Sequence, residues 1–234
     1  MTDGSVSLLE SPMAATQRQE RALRRREEIL EEATKLFAAK GYAHAKVDDI
    51  AARLGIAKGT IYRYFSTKRE LFLAVADNAM TELQDSMEAI TSKIDDPLER
   101  ISAGVKAHLA FFDVHRDLIE VFVHERAEFR DRKKPTFLSY REKNIRNLEA
   151  LLEDMKKAGL VRDVSASATA EILGDMLAGT VHTHFIRGSG RRLSRLAPRI
   201  VDVFFNGILT PAGGRARQGR PAPRSRAANK VKKK

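Results

Sequence analysis

Residues 41–65 read GYAHAKVDDIAARLGIAKGTIYRYF, and the fold is decided by how this stretch is read. Val47, Ile50, Ala51 and Leu54 recur at i, i+3, i+4 and i+7, one face of a two-turn helix. Asp48 and Asp49 fall in its first turn, where the helix dipole favours negative charge. Leu54-Gly55-Ile56-Ala57 then breaks the period with a glycine where the chain must reverse, and a second short helix is predicted over 58–65. On its wheel Ile61 and Phe65 lie together and must face a core, whereas Gly59 and Arg63 lie opposite, flanked by Thr60 and Tyr62. A guanidinium fork, a hydroxyl, an aromatic ring and a glycine that permits close approach suit base reading and phosphate contact. The stretch predicts a helix-turn-helix, in which one helix braces a second in the DNA major groove. The bland alternative is an ordinary polar helix face.

Working outward, Ile29, Ala33, Leu36 and Phe37 mark one face of a preceding helix that Gly41 ends as a C-cap. Residues 1–22 lack a sustained period and are expected to form a flexible arm. Arg18, Arg21, Arg24, Arg25 and Arg26 lead out of it, either toward phosphate or a minor groove or as a solvated helix start. On the other side, Thr67-Lys68-Arg69-Glu70 is a capping box. Leu71, Phe72, Val75, Ala79 and Leu83 continue that helix to about residue 92. A lysine in its first turn opposes the dipole, and Lys68 makes sense if a phosphate sits there.

The 234 residues, 43% hydrophobic and 31% charged, describe a globular protein with ample core. Apolar runs fall short of the roughly 18 residues that span a bilayer, no signal peptide is evident, and a cytoplasmic, nucleoid-associated location is expected. With no cysteine, disulfides and thiolate metal sites are excluded. Of the net charge of +11, nine positive charges lie after Pro211 (Arg215 to Lys234), leaving +2 for residues 1–210. Overall basicity is therefore weak evidence for specific DNA binding. Residues 211–234 are expected to be a disordered basic tail, either adding sequence-independent DNA affinity or merely solubilising.

Beyond residue 95 five further helices are expected. Asp95-Asp96-Pro97 starts one with Leu98, Ile101, Val105, His108, Leu109 and Phe112 on its apolar face. Arg116-Asp117 interrupts it before a shorter helix with Leu118, Ile119, Phe122 and Val123. A third runs over 136–157 until Gly159 stops it. Residues 166–187 and 195–209 are apolar on unusually wide faces, with Pro198 tolerated only in a first turn. Two such helices call for a covering partner, and a twofold dimer built as a four-helix bundle is the simplest answer, with Val181, Phe185, Ile200, Phe204 and Ile208 at its interface. A ligand site is expected between the middle helices, where aromatic and polar groups mix. Its candidates are His108, Phe112, Phe122, Glu125, Phe129, Tyr140, Asn144, Met176, Thr180 and Thr183, each with an ordinary core role as the alternative. The mostly apolar set favours a small lipophilic effector, such as a fatty acyl compound or an aromatic molecule. His182 and His184 point to different helix faces, and His124 and Glu125 are adjacent rather than four apart, so neither a metal site nor a cofactor is expected.

The stretch GYAHAKVDDIAARLGIAKGTIYRYFSTKRELF resembles the DNA-binding domain of the TetR/AcrR transcriptional regulators. The match covers roughly residues 26–75 and rests on IA-x-x-x-G-I-x-K-G-T-I-Y-x-Y-F followed by K-x-E-L. The resemblance implies an all-α homodimer that represses transcription at a palindromic operator, with a small molecule in the C-terminal domain changing the spacing of the two DNA-binding heads. Carried over residue by residue, Lys58, Gly59, Thr60, Tyr62, Arg63 and Tyr64 match the recognition helix, and Lys68 matches the phosphate-contacting lysine that opens the fourth helix. The chain departs from the pattern at Ala45, Lys46 and Ala57, where Thr or Ser is usual. A lost helix cap costs about 1 kcal/mol, and Lys46 is expected to restore a phosphate contact by charge.

The expected organisation is an arm over 1–22, a three-helix helix-turn-helix domain over 23–70, a helical ligand-binding and dimerisation domain over 71–210, and the tail. The leading function is a ligand-responsive repressor binding a double-stranded operator. The alternative is an architectural, broadly nonspecific DNA-binding protein without a ligand. An activator on the same fold is compatible with the sequence. An enzyme lacks support, because no nucleophile-base pair, phosphate loop or metal spacing appears.

Overall fold

Strong helix formers without an apolar period, such as Gln17-Arg18-Gln19-Glu20-Arg21-Ala22, make an exposed helix rather than a loop. In the computed structural model, which describes residues 12–188, 190, 192–211, 213 and 214, helix α1 accordingly spans Pro12–His44. The expected arm is thus helical from Pro12 onward, because propensity rather than amphipathic pattern sets this segment. Residues 1–11, and the tail charges from Arg215 to Lys234, lie outside the described residues. The remaining α-helices are α2 (Val47–Leu54), α3 (Lys58–Tyr64), α4 (Lys68–Thr91), α5 (Pro97–Val114), α6 (Asp117–Glu128), α7 (Thr136–Lys157), α8 (Ala166–Ile186) and α9 (Ala197–Ile208), the last preceded by a 3-10 turn at Leu193–Leu196. The described chain is all-α. No described helix is long and apolar enough to cross a membrane.

The chain divides into two compact units, one of described residues up to 79 with 120–133, the other of 80–119 with the described residues after 133. The first unit is larger than the expected 23–70 domain, because α4 as far as Ala79 and α6 from Glu120 onward join it. In its core Ile29, Leu36, Phe37, Ile50, Ile61 and Phe72 are fully buried. Gly41 breaks α1 with φ 68° and ψ 172°. Gly55 closes α2 in the left-handed region (φ 62°), with Ile56 N–H donating to the Ala51 carbonyl at 3.0 Å. The capping box forms with a shift of one residue. Thr67 Oγ1 accepts from Glu70 N–H at 3.0 Å, but the Glu70 carboxylate takes the amide and hydroxyl of Ser66, at 2.8 and 2.6 Å.

Phe129 joins Phe37, Tyr42 and Phe72 in an aromatic cluster, with centroids 4.8 Å from Tyr42 and 5.3 Å from Phe72. Glu125 is buried and accepts a hydrogen bond from Arg132, and Phe122 packs against the same core. These three expected ligand residues therefore belong to the first unit's interior. Burial of α6 against the helix-turn-helix, rather than around a pocket, is what their apolar spacing encoded.

In the second unit α5 packs on α7, α8 and α9, and α7 packs on α8. Asp96 caps α5 by accepting from Leu98 and Glu99 N–H at 2.7 and 2.9 Å. At the other end of α5, Asp113 holds the 3-10 turn: it accepts from Leu193 N–H at 2.5 Å and from the Ser194 amide and hydroxyl at 3.0 and 2.6 Å. Burial pushes the Asp113 carboxyl up, but these donors outweigh it and hold it below its ordinary value. The wide apolar faces of α8 and α9 are absorbed within the chain. Val181, Ile200, Phe204 and Ile208 are buried and Phe185 is half-buried, so the expected interface residues do not line an open face. What remains exposed is Ile172, Gly179 and Ile186 on α8, and Val203 on α9.

Asp113→Ala is expected to lower the unfolding free energy at pH 7 by roughly 1–2 kcal/mol, measured by urea denaturation. Because the folded carboxyl titrates below its ordinary value, the difference should shrink as pH falls through and below the ordinary carboxylate range. A difference that is flat with pH would show that the charge is not what holds the turn.

Candidate nucleic-acid interface and effector cavity

A seven-residue helix cannot present side chains reliably unless something fixes its rotation. Here Ile61, fully buried, and Phe65, 2% exposed, fix it. Neither Lys46 before α2 nor Ala57 before α3 makes a side-chain cap, as the sequence departures imply. With Ile61 inward, Lys58, Gly59, Tyr62 and Arg63 are exposed and Thr60 is half-buried beside them. Lys46 is exposed at the start of α2. Tyr64 differs from the rest of the matched set, because it packs in part against the core.

Two of the lysines are engaged within the protein. Lys58 Nζ donates to Asp48 Oδ2 at 2.8 Å, which holds its ammonium above the usual lysine value. Lys68 Nζ stands 4.5 Å from the Tyr42 ring centroid and donates to the Ala43 carbonyl at 3.3 Å. Burial draws its pKa below the ordinary value. The cation at the α4 N-terminus thus already has a ring face and a carbonyl to answer it. Asp48, read from sequence only as a dipole partner, is also an acid beside the reading face.

The second unit contains a cavity of about 310 Å³ among α4, α5, α7 and α8. Its walls are mostly apolar, including Leu83, Met87, Val105, Phe137, Leu148 and Leu177. Of the expected ligand residues, His108 and Asn144 line it. Phe112 is buried beside Phe111, Tyr140 shares a 3.1 Å hydrogen bond with Thr81, Thr180 donates to the Met176 carbonyl at 2.6 Å, and Thr183 is exposed; none of these four, nor Met176, lines the cavity. The lining also includes Arg100, Arg141 and Asn147, which sequence reading missed. The signal was present, because Arg100 precedes Gly104 and His108 at fourfold spacing, and Phe137, Arg141, Asn144 and Leu148 form one stripe of α7.

A helix-turn-helix head joined to an all-helical unit is the architecture of a DNA-binding transcriptional regulator. Residues 29–75 match the bacterial regulatory proteins of the tetR family, and residues 94–208 match the tetracyclin repressor-like C-terminal domain. The chain belongs to the TetR family of DNA-binding transcriptional regulators, which are not enzymes. It is 34% identical over 89 residues to the HTH-type transcriptional activator FasR of Mycolicibacterium smegmatis, a match spanning 38% of this chain and 41% of that one. It thus spans less than half the length of that relative. To the HTH-type transcriptional repressor BepR of Brucella suis it is 24% identical over 194 residues, covering 80% of this chain and 93% of the other. The transcriptional regulator FadR of Bacillus subtilis, solved in complex with stearoyl-CoA, shares the fold with a TM-score of 0.67 at 18% identity, over 78% of this chain and 98% of that one.

Releasing Lys58 is expected to strengthen nonspecific binding. Asp48→Ala should tighten affinity for an arbitrary duplex by roughly two- to fivefold at low salt, the range of an exposed ion pair. Unchanged affinity in a fluorescence anisotropy titration would remove Lys58 from the phosphate-contacting set.

Proposed function

We propose that the protein is a repressor that binds a palindromic operator as a homodimer and is released by a small lipophilic molecule. The observation that carries this reading is the apolar cavity of about 310 Å³ in a chain whose other unit exposes Tyr62 and Arg63 beside buried Ile61. Cavities of this size hold small-molecule ligands. BepR is a repressor related over most of its length, and FadR was solved with stearoyl-CoA, which supports a fatty acyl effector. Helix α4 supplies Leu71, Phe72 and Val75 to the core of the first unit and Met80, Leu83 and Met87 to the cavity wall. An effector that displaces this helix has a continuous element along which to act on the head. The protein works in the cytoplasm, at the nucleoid.

Arg63 and Tyr62 read bases, while Lys46, Lys58 and Lys68 contact phosphate, Lys68 by turning from the Tyr42 ring. The exposed stripe of Ile172, Gly179 and Ile186 on α8, with Val203 on α9, forms the twofold interface. A self-complementary apolar patch of this kind explains why these positions are not polar.

Selecting bound duplexes from a random pool is expected to return a two-half-site palindrome, and a subsequent compound screen to find lipophilic molecules that release it. Arg63→Ala should lose about tenfold or more for that operator with unchanged circular dichroism. Lys68→Ala should weaken specific and nonspecific binding together. Recovery of no common sequence would favour the architectural alternative. Val203→Glu should give a folded monomer in sedimentation, whereas Phe204→Glu, at a position 6% exposed, should unfold the chain. A dimeric Val203→Glu protein would move the interface elsewhere.

A further inference from the structure

The cavity wall carries two guanidinium groups and no carboxylate. Arg100 donates Nε and NH2 to the Ile94 carbonyl at 2.8 and 2.7 Å, which fixes the plane of its guanidinium and leaves NH1 without an acceptor among the described residues. Arg141 donates NH2 to Asp175 Oδ1 at 2.5 Å and to the Glu171 carbonyl at 3.2 Å, again leaving NH1 over. Gly174 makes room for it, since a Cβ there would stand 3.2 Å from Arg141 NH2. Asp175 offsets part of the Arg141 charge from the protein surface, whereas the Arg100 charge meets only a carbonyl. Such a wall attracts an anion and repels a lipophilic cation.

A second feature is independent of the arginines. His108 lines the cavity and keeps some accessible surface as a residue, yet its Nε2 is buried and has no hydrogen-bond partner among the described residues. Burial lowers its pKa to about 4, so the ring is neutral at physiological pH. A neutral imidazole has one donor and one acceptor nitrogen, and once the ring turns to bring the buried Nε2 to the cavity that the residue lines, a ligand hydroxyl, which both donates and accepts, satisfies it in either tautomer. A site built around such a group penalises the analogue that lacks the oxygen, because the buried nitrogen then stays unpaired.

We propose that the effector is a hydroxylated lipophilic carboxylate, its head group paired with Arg100 and Arg141, its apolar body against the leucine and methionine walls, and its hydroxyl bonded to His108. A planar carboxylate matches the two-donor edge of a guanidinium better than a point acceptor does. This inference rests on the cavity being the effector site.

The test measures binding of dodecanoic acid, a positional series of monohydroxydodecanoic acids and dodecylamine to the full chain by calorimetry, with release of a selected operator followed in parallel. At least one hydroxy acid should bind tenfold or more tightly than dodecanoic acid, and dodecylamine at least tenfold more weakly. The hydroxyl advantage should vanish in His108→Leu and survive in part in His108→Gln, which keeps a hydrogen-bonding group and guards against a mere packing defect. Arg100→Met combined with Arg141→Met should erase the preference for acid over amine. Equal binding of hydroxylated and plain acids, or an advantage that persists in His108→Leu, overturns the proposal. If plain dodecanoic acid releases operator as well as any hydroxy acid, the repressor reading stands and this inference fails. If a hydroxy acid binds through His108 and operator stays bound, the ligand chemistry assigned to the cavity stands, while the repressor reading fails together with the effector role that rests on it. Binding of no probe overturns both.

Discussion

Burial of Ile61 and Phe65 is the constraint on which the reading head depends. Helix α3 has seven residues and no side-chain cap at Ala57, so it is far too short to persist alone. Removing an isoleucine and a phenylalanine from water contributes about 1.5–3 kcal/mol each, more than the ~1 kcal/mol that a cap would add. Packing therefore wins over capping, and it also sets the helix rotation. Tyr62 and Arg63 face outward because Ile61 faces inward.

Around that contact the first unit is closed by aromatic rings with cations laid over them. Arg26 stands 5.3 Å from the Phe65 centroid, Lys68 4.5 Å from Tyr42, and Arg69 4.8 Å from Phe129. Basic residues thus cover the apolar core while keeping their charge near the surface. The buried Glu125 is paired with the partly exposed Arg132, which offsets the carboxylate charge inside the unit. The second unit follows a different logic. Asp113 ties the turn before α9 to α5, and α7 and α8 leave a space that their side chains do not fill. In a protein interior such a space is stabilising to no one but a ligand, since an unfilled apolar cavity forfeits contacts along its lining.

Local periodicity made most of the fold legible. The limits of α7, the Asp96-Pro97 start of α5, the Gly55 reversal and the inward placement of Ile61 follow from patterns shorter than two turns. Within the arm expected over 1–22, the helix from Pro12 onward is not legible, because an exposed helix carries no apolar stripe to reveal it. Tyr64 belongs to the recognition-helix set only by resemblance, and its partial burial against the core is a tertiary contact that the motif does not carry.

The amino-acid sequence by itself determined the helix-turn-helix, the all-α class and which side chains α3 turns outward, since these depend on spacing within a few turns of chain. Only the tertiary structure decided which apolar faces meet each other. It assigned Phe122, Glu125 and Phe129 to the first unit, turned Phe204 inward and left Val203 out, and brought Arg100 and His108 of α5 to one cavity with Arg141 of α7. Hydrophobic burial is non-directional, so a stripe announces that it will be covered without naming its cover.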